Sequence, residues 1–509
     1  MVIKKIITNK LFIILIIFIF SFFLRLWTLN QMGKTWDEQF YVDQGYKFIE
    51  LIKKGDFNNQ YWYKDPDPPA VAKYIYGLAA HVDVNKILNC REEICSYDLT
   101  GARLMSALFS SFTSALVVAI GIRYISTIVG VVSGFIFSTL PVFLGLSQLA
   151  TIESILIFFF TSTIYSFLIL IEKFSVKKVI LTGILLGLSI GTKYTNLIIV
   201  PVILAIYLFK YLSCGKKIKI REPILYFLPI FLISLATLFL IWPTPWFHLS
   251  DLWQKEYSIR FSSIANHPPP EIFFGRLMPV PIIYYFVYFF ITTPLIILIL
   301  FFVGLKKIFV SKKWILYSIA LWFAIPFLQS FVNMRQHGLR YIVEIYAPLS
   351  IIAAIGFDYL LSHFTKKTAT KLLFGIPVII YMFIVLYRIT PYYLDYFNIL
   401  VGGTKGVYET KSFQIGWWGQ GLREAGLFLS SNAPPNAKIG LAISPMHVFP
   451  PLPRLKVSKF KFGESYDYVV VNSYNVLREG FDDSTIRKIY KPVYYVKADG
   501  AFLVTIYKK

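Results

Sequence analysis

Cysteine is scarce in this chain, with three residues among 509. So few thiols exclude a disulfide scaffold. Cys90 and Cys95 can pair if their loop is extracytoplasmic, or they stay free thiols; Cys214 is expected to be reduced in a cytoplasmic loop. The six histidines show no spacing that favours a metal site. The sequence predicts no cofactor and no histidine-bound metal, and it leaves open a divalent metal at adjacent acids.

Nucleotide-binding motifs are also missing. The Gly-rich residues 401–406 lack the GK[ST] ending of a phosphate-binding loop. No GxGxxG pattern follows a soluble strand. A nucleotide-sugar donor or ATP therefore has no visible binding site.

Charged residues make up only 16% of the chain, whereas 56% are hydrophobic and the mean hydropathy is +0.61. Soluble domains are about 45–50% apolar. The excess falls in repeated long runs with few charges, which indicates a membrane protein. The net charge of +23 does not predict nucleic-acid binding, because the basic clusters lie between apolar runs and suit an anionic lipid surface.

The apolar runs predict eleven transmembrane helices. Their approximate ranges are 11–29, 100–121, 125–146, 151–171, 178–193, 195–212, 224–243, 280–303, 314–332, 341–362 and 372–390. The first lacks a small-residue cleavage site and is interpreted as a retained anchor. Lys and Arg concentrate in alternate loops, which predicts a cytoplasmic N-terminus. We expect a multi-pass protein of the plasma membrane with an extracytoplasmic C-terminal segment.

Two domains are predicted. The first, residues 1–390, is a mainly α polytopic membrane module with a long extracytoplasmic loop at 30–99, whose helices at 41–54 and 70–80 are separated by the DPDPP run at 65–69. A second outer loop covers 244–279. Residues 391–509 are predicted to form an extracytoplasmic segment ending in a small α/β domain, with strands near 438–443, 466–472, 493–497 and 501–507.

Two adjacent carboxylates, Asp37 and Glu38, lie where the first predicted membrane helix ends. Such a pair can take a proton from a hydroxyl nucleophile or orient a sugar. Alternatively, Asp37 caps a helix over 37–54 and Glu38 occupies its first turn, where acids are favourable. The two interpretations are compatible.

Further candidate residues lie at outer ends of predicted spans. Glu153 either faces headgroups or shares a cavity with Asp37, since intramembrane acids usually face cavities. Three cations, Arg103, Lys193 and Arg340, are suited to a phosphodiester or simply snorkel to lipid phosphate. Glu344 lies one turn from Arg340 and is a candidate ion-pair partner; His337 is a further candidate.

Several motifs in this order resemble a known family. They are Trp36-Asp37-Glu38, Asp67-Pro68-Pro69, Ala102–Phe109, Gly187–Tyr194, Arg340–Leu349, Tyr396-Phe397-Asn398 and Trp418–Leu422. Over roughly residues 10–430 they resemble the membrane glycosyltransferases of GT-C type. The most similar branch is protein O-mannosyltransferase-like and includes the lipid A aminoarabinose transferases.

The resemblance implies a transferase that moves a sugar from a polyprenyl- or dolichyl-phosphate donor to a hydroxyl of a protein, lipid or glycan at the outer membrane face. Direct attack by the acceptor would invert the anomeric centre. Asp37 matches the general base and Glu38 its neighbour, and Glu153 matches an acid at a span start. Arg103, Lys193 and Arg340 match the basic positions that suit the donor phosphate. Many relatives have His where Asp67 stands, so Asp67 becomes a second candidate acid.

Two other classes of protein fit the same composition. A transporter or flippase for a lipid-linked or anionic substrate also carries charges in its spans, but such proteins place their sites near the midplane on repeated, broken helices. A carbohydrate-binding receptor could use Trp417 and Trp418. Neither the sugar nor the acceptor follows from the sequence.

Overall fold

The computed structural model describes residues 9–64, 69–82, 99–213, 221–252, 254, 270–311, 313–332, 335 and 337–509. Up to residue 389 the described residues are mainly helical. The α-helices are Lys10–Leu26, Trp36–Lys54, Tyr61–Lys64, Ala70–Val82, Thr100–Tyr124, Thr127–Thr139, Pro141–Leu146, Glu153–Glu172, Val176–Ile190, Ile199–Ser213, Arg221–Ile241, Thr244–Phe247, Leu249–Leu252, Tyr284–Thr292, Leu295–Ser311, Trp314–Gln329, Tyr346–Ser362, Thr368–Phe374 and Ile376–Ile389. Short 3-10 helices precede two of them, at Tyr194–Ile198 and Gly338–Ile345.

Every predicted span contains a helix. By length and composition, five helical segments of the described chain could cross a membrane: Thr100–Tyr124, Glu153–Glu172, Tyr194–Ser213, Glu222–Ile241 and Gly338–Ser362. A sixth would be the pair Tyr284–Thr292 and Leu295–Ser311, which is bent by 114°. Shorter apolar helices cover 127–139, 314–329 and 376–389. A several-helix membrane protein is thus confirmed, whereas the number eleven and the orientation stay predictions.

Two helices of the first long loop cross at glycines. A Cβ on Gly45 would lie 2.0 Å from the carbonyl oxygen of Lys73, and one on Gly77 would lie 2.2 Å from that of Gly45. Only residues without a side chain allow backbones to approach so closely. The helix Trp36–Lys54 is therefore held in a fixed position against Ala70–Val82.

A short antiparallel hairpin, β1 (Pro270–Phe273) and β2 (Arg276–Pro279), directly precedes the bent helix pair that starts at Tyr284. Its turn uses Phe274 and Gly275, both with positive φ. Phe273 forms an isolated bridge with Phe413. The hairpin thus contacts the segment that follows the helix Ile376–Ile389.

The C-terminal part contains a five-stranded mixed sheet of order β4-β3-β5-β7-β6. The strands are β3 (Lys438–Ala442), β4 (Lys456–Lys459), β5 (Tyr468–Asn472), β6 (Lys491–Ala498) and β7 (Ala501–Lys508). β3 is parallel to β4 and β5, and β7 is antiparallel to β5 and β6. The helices here are Gly403–Thr410, Leu422–Asn432, Ser473–Leu477 and Ser484–Ile489. The predicted small α/β domain is confirmed as a sheet domain, but its edge strand β4 was missed.

The segment between the last membrane helix and this sheet is anchored to the helical part. The backbone N–H of Asn398 donates to Ile291 O at 2.7 Å, and its side-chain amide donates to Phe290 O at 2.6 Å and Thr293 O at 2.7 Å. These three backbone carbonyls lie beside the bend after residue 292, and they can therefore accept from a side chain or backbone outside the helix. The hydrogen bonds of Asn398 therefore attach the segment before the C-terminal sheet to the helical part of the chain.

Candidate functional site

The acid pair lies in the first turn of the helix Trp36–Lys54. Its N-cap is Thr35 and not Asp37, which corrects the predicted cap. Glu38 Oε2 accepts from the backbone N–H of Thr35 at 2.9 Å and from its hydroxyl at 3.0 Å, forming a capping box. This arrangement fixes the start of the helix and points Glu38 inward, where its side chain is fully buried.

Glu38 and Arg103 form a buried ion pair. Arg103 Nε and Nη2 donate to the two Glu38 carboxylate oxygens, both at 2.7 Å. Arg103 also donates to the carbonyls of Leu29 and Gly33, and Glu38 accepts from Ala150 N–H at 2.8 Å. Arg103 is only 2% exposed. This geometry favours a structural role for the pair, which joins the first loop to the start of the Glu153 helix. It does not favour the predicted roles of Arg103 in phosphate binding and of Glu38 in catalysis.

Arg340 lies between two acids from distant parts of the chain. Its Nη2 donates to Asp37 Oδ2 at 2.5 Å, and its Nε donates to Glu153 Oε1 at 2.7 Å. The side chains of Arg340 and Glu153 are 5% and 0% exposed, whereas that of Asp37 is 28% exposed. Among these three groups, Asp37 is thus the most exposed.

Lys193 brings a second cation to the same cluster. Its ammonium group lies 4.6 Å from the centre of the Tyr341 ring, and it interacts electrostatically with Glu153 and Glu344. Glu344 is 4% exposed. In the described part of the chain Arg340 pairs with Asp37 and Glu153 and not with Glu344, so the predicted one-turn ion pair is wrong.

Two aromatic groups enclose the cluster. The Trp418 ring stacks on the Arg340 guanidinium, with its centre 4.0 Å from Cζ; such contacts stabilise a desolvated cation. Tyr41 is buried one turn after Asp37, and burial, followed by the charge of Asp37, raises the pKa of its hydroxyl well above the usual value. Tyr41 therefore stays a neutral phenol beside the acids.

A second buried network holds the segment that leads to Arg340. Glu271 Oε1 accepts from the hydroxyls of Tyr284 and Tyr288 at 2.7 and 2.8 Å, and its Oε2 accepts from His337 N–H at 2.7 Å. Tyr284 Oη in turn accepts from Gly338 N–H at 2.8 Å. His337 is left-handed, with φ of 74°. Glu271 thus fixes the turn directly before Arg340.

The His337 side chain lies against the same wall as Trp418. Its ring stacks on Trp417 with 4.4 Å between centres. Burial, and next the charge of Arg340, holds the pKa of His337 well below 6.5, so the ring is neutral. A cavity of about 20 Å³ between Glu271, His337 and Arg340 has room for about one water molecule. His337 is therefore a neighbour of the cluster that packs against its aromatic wall.

Of the predicted site residues, the structure brings together Asp37, Glu153, Arg340 and Lys193. It separates Glu38 and Arg103 into their own pair. Asp67, like Cys90, Cys95 and Cys214, lies outside the described residues. Sequence reasoning missed Glu271, although a single acid directly before the apolar run Ile272-Phe273-Phe274 was a usable signal.

The acids that converge in the cluster are paired with an arginine side chain. No group of three or more His, Cys, Asp or Glu side chains able to hold a metal occurs within the residues that the structure describes. At the point where Asp37 and Glu153 converge, the guanidinium of Arg340 lies between them. The negative charge of these acids is therefore offset by arginine.

Part of the chain matches a known family. Residues 87–242 match the family model described as dolichyl-phosphate-mannose-protein mannosyltransferase. The crystal structure of apo ArnT from Cupriavidus metallidurans superposes with a TM-score of 0.52 at 12% identity, over 99% of this chain and 98% of that one. The chain resembles the GT-C membrane glycosyltransferases. Its sequence motifs indicated the same resemblance, which is thereby confirmed.

Two further GT-C-like structures share the fold. ArnT bound to undecaprenyl phosphate gives a TM-score of 0.51 at 12% identity, covering 97% of each chain. An Archaeoglobus fulgidus oligosaccharyltransferase tethered to an acceptor peptide gives 0.50 at 13% identity, over 91% of this chain and 62% of that one. None of the curated proteins compared with this chain matches it. At these identities the superpositions show a shared GT-C fold.

Proposed function

We propose that this chain is a membrane glycosyltransferase that uses a polyprenyl- or dolichyl-phosphate sugar. The observation that carries the proposal is the convergence of Asp37, Glu153 and Arg340 on a GT-C fold, with Asp37 at the exposed edge of the cluster. A lipid-phosphate sugar carries its own leaving group. The protein then has to bind the phosphate, stabilise its developing charge and deprotonate the acceptor.

In the proposed reaction, an acceptor hydroxyl attacks the anomeric carbon while its proton passes to Asp37. The bond from that carbon to the phosphate oxygen breaks, and the lipid phosphate leaves with the electron pair. Attack from the face opposite the phosphate inverts the anomeric centre. Arg340 positions Asp37, because it bonds Asp37 with one nitrogen and the buried Glu153 with another.

Lys193 is the proposed principal ligand of the donor phosphate. Its ammonium faces the Tyr341 ring and can rotate toward an anion, since Lys binds phosphate as a flexible point charge. Arg340, beside it, contributes to the positive potential. Arg103 is not proposed for this role because Nε, Nη1 and Nη2 all bond protein acceptors. We place the reaction at the outer face of the plasma membrane, with protein, lipid and glycan hydroxyls as candidate acceptors.

Replacing Asp37 with Asn tests the general base. The assay uses purified full chain with peptide, lipid and glycoside acceptors, and it follows release of lipid phosphate from undecaprenyl- and dolichyl-phosphate donors carrying mannose, glucose, galactose or aminoarabinose. Turnover should fall by about 10²–10⁴-fold, the range that a general base contributes. Glu50→Gln is the matched control, since Glu50 lies on the same helix and pairs with Lys53 at the surface. Near-normal turnover of the Asp37→Asn variant would remove Asp37 from the mechanism.

Lys193→Gln tests the phosphate site separately. Donor affinity should fall about tenfold or more, because a charge-assisted bond to an anion contributes about 1.5–3 kcal/mol. Binding of the unglycosylated undecaprenyl phosphate, measured by titration calorimetry in detergent, should fall in parallel. Lys178→Gln, a lysine that donates to helix carbonyls at 3.1 and 2.8 Å, is the control. Equal affinities for both variants would contradict the assignment.

A further inference from the structure

The rim of the Asp37 cluster is built from two domains. Trp36 directly precedes Asp37, and its indole is 52% exposed. The His447 ring meets it edge to face, with 5.0 Å between centres and 89° between planes. His447 belongs to the 3-10 helix Met446–Val448 of the C-terminal domain. The two rings thus form a corner at the exposed side of the acid cluster.

This corner is held rigidly. His447 lies close enough to the Trp36 backbone, Asp37 and Lys34 for each of them to influence its ring electrostatically. Its neighbour Val448 is 3% exposed and packs on Gly419, where an added Cβ would lie 2.6 Å from Val448 Cγ2. The C-terminal domain therefore holds His447 next to the turn that carries Trp418, the residue stacked on Arg340.

We infer that Trp36 and His447 form the acceptor subsite, and that the acceptor it takes is a glycan presenting a sugar ring. The inference rests on the proposed function. A hydroxyl that reaches Asp37 must belong to a molecule lying against this corner. A pyranose ring has a flat face of C–H groups that suits the exposed indole, and hydroxyls at its edge that suit an imidazole.

The imidazole is in the state that this role requires. Burial, followed by the charge of Lys34, lowers the pKa of His447 below 6.5. A neutral imidazole carries its proton on one ring nitrogen and leaves the other nitrogen as an acceptor. That nitrogen can accept from a sugar hydroxyl, whereas in an imidazolium both ring nitrogens are donors.

The experiment measures binding without catalysis, on the full chain in detergent. Saturation-transfer difference NMR would follow methyl α-D-mannopyranoside, methyl β-D-glucopyranoside and methyl β-D-galactopyranoside. At least one should bind the unaltered protein, and Trp36→Ala and His447→Ala should each weaken that binding about tenfold or more. Trp36→Phe, which keeps an aromatic face, should lose less than Trp36→Ala and shows that the fold survives.

The controls are an exposed tryptophan and an exposed histidine away from the corner. Trp27 is 77% exposed at the C-cap of the first helix, and His363 is exposed after the helix Tyr346–Ser362. Trp27→Ala and His363→Ala should bind the glycosides as the unaltered protein does. Equally large losses of glycoside binding in these controls would indicate that Trp36 is only a membrane-surface anchor, and they would overturn the inference.

Two other outcomes would also overturn it: no glycoside binding at all, or Trp36-dependent binding of a Ser/Thr peptide, Ac-Ala-Ser-Thr-Ala-NH₂, in place of the glycosides. In transfer assays, Trp36→Ala should raise the KM for the glycoside more than it lowers kcat. Hydrolysis of the lipid-phosphate donor by the unaltered protein reports the proposed function independently. If the donor is not hydrolysed while glycosides bind normally, the proposed transferase function is wrong but the sugar-binding site remains supported.

Discussion

Removing the guanidinium of Arg340 takes away the cation that hydrogen-bonds both Asp37 and Glu153, and leaves Lys193 as the remaining cation near Glu153. Glu153 is fully buried and bonds Arg340 Nε at 2.7 Å, and its other carboxylate oxygen has no hydrogen-bond partner among the described residues. Breaking a buried pair by removing one partner typically costs about 3–5 kcal/mol, because the remaining charge stays desolvated. We expect Arg340→Ala to lose stability in this range.

The double variant isolates the cause of that loss. Glu153→Gln alone should cost about 1–2 kcal/mol, because Arg340 keeps its bond to Asp37. In Glu153→Gln combined with Arg340→Ala the buried residue is neutral. The two losses should therefore fall short of additivity by about 1.5 kcal/mol or more.

Unfolding of the detergent-solubilised protein by sodium dodecyl sulfate, followed by helical circular dichroism, measures these free energies. The control cycle is Arg123→Ala with Glu172→Gln, a pair at 2.6 Å whose side chains are 46% and 31% exposed. Its interaction energy should stay below about 1 kcal/mol, as in other exposed pairs. Additivity within about 0.5 kcal/mol at Arg340 and Glu153 would refute the idea that Arg340 neutralises a buried acid.

Two further predictions concern the supports of the site. Asp395 is buried and accepts from the backbone N–H of Gly416 at 2.7 Å, directly before Trp417 and Trp418. Burial raises the pKa of Asp395 from 3.8 to about 7, so its contribution to stability is complete below pH 3.8 and is lost as the pH rises through 7, at about 1.4 kcal/mol per pH unit between the two values. Asp395→Asn should flatten the dependence of the melting midpoint between pH 5 and 8, and parallel profiles would contradict this. Gly45→Ala would place a Cβ 2.0 Å from Lys73 O, and should cost about 1–3 kcal/mol in the same detergent unfolding assay; an unchanged free energy would show that the two helices can separate without loss.

Sequence reasoning located the parts of the fold that depend on local patterns. Apolar runs marked the membrane helices, and the acid pair marked the start of the helix Trp36–Lys54. The helix N-cap was wrongly assigned to Asp37 because Thr35, Asp37 and Glu38 all favour a helix start. Only the structure shows which of these side chains points inward. Strand β4 escaped because its residues Lys456–Lys459 are mostly polar, as is common for a short edge strand.

The charged residues that form the cluster were easier to predict from the sequence than the ion pairs they make with one another. Asp37, Glu153, Lys193 and Arg340 were selected because each charge lies at the end of a span. Which acid pairs with which cation depends on packing between distant segments. The partner of Arg103, for example, is decided by the capping box at Glu38 and not by any spacing in the sequence.

The contact between Asp37 and Arg340 joins residues 303 positions apart. A ribosome making this chain inserts the first loop long before it reaches the helix that carries the arginine. During all of that time the carboxylate lacks its guanidinium, so the cluster of Asp37, Glu153 and Arg340 is incomplete in a partly synthesised chain. If the proposed function is right, turnover of the lipid-linked sugar therefore has to wait until about two thirds of the polypeptide, residues 1–340 of 509, has been made.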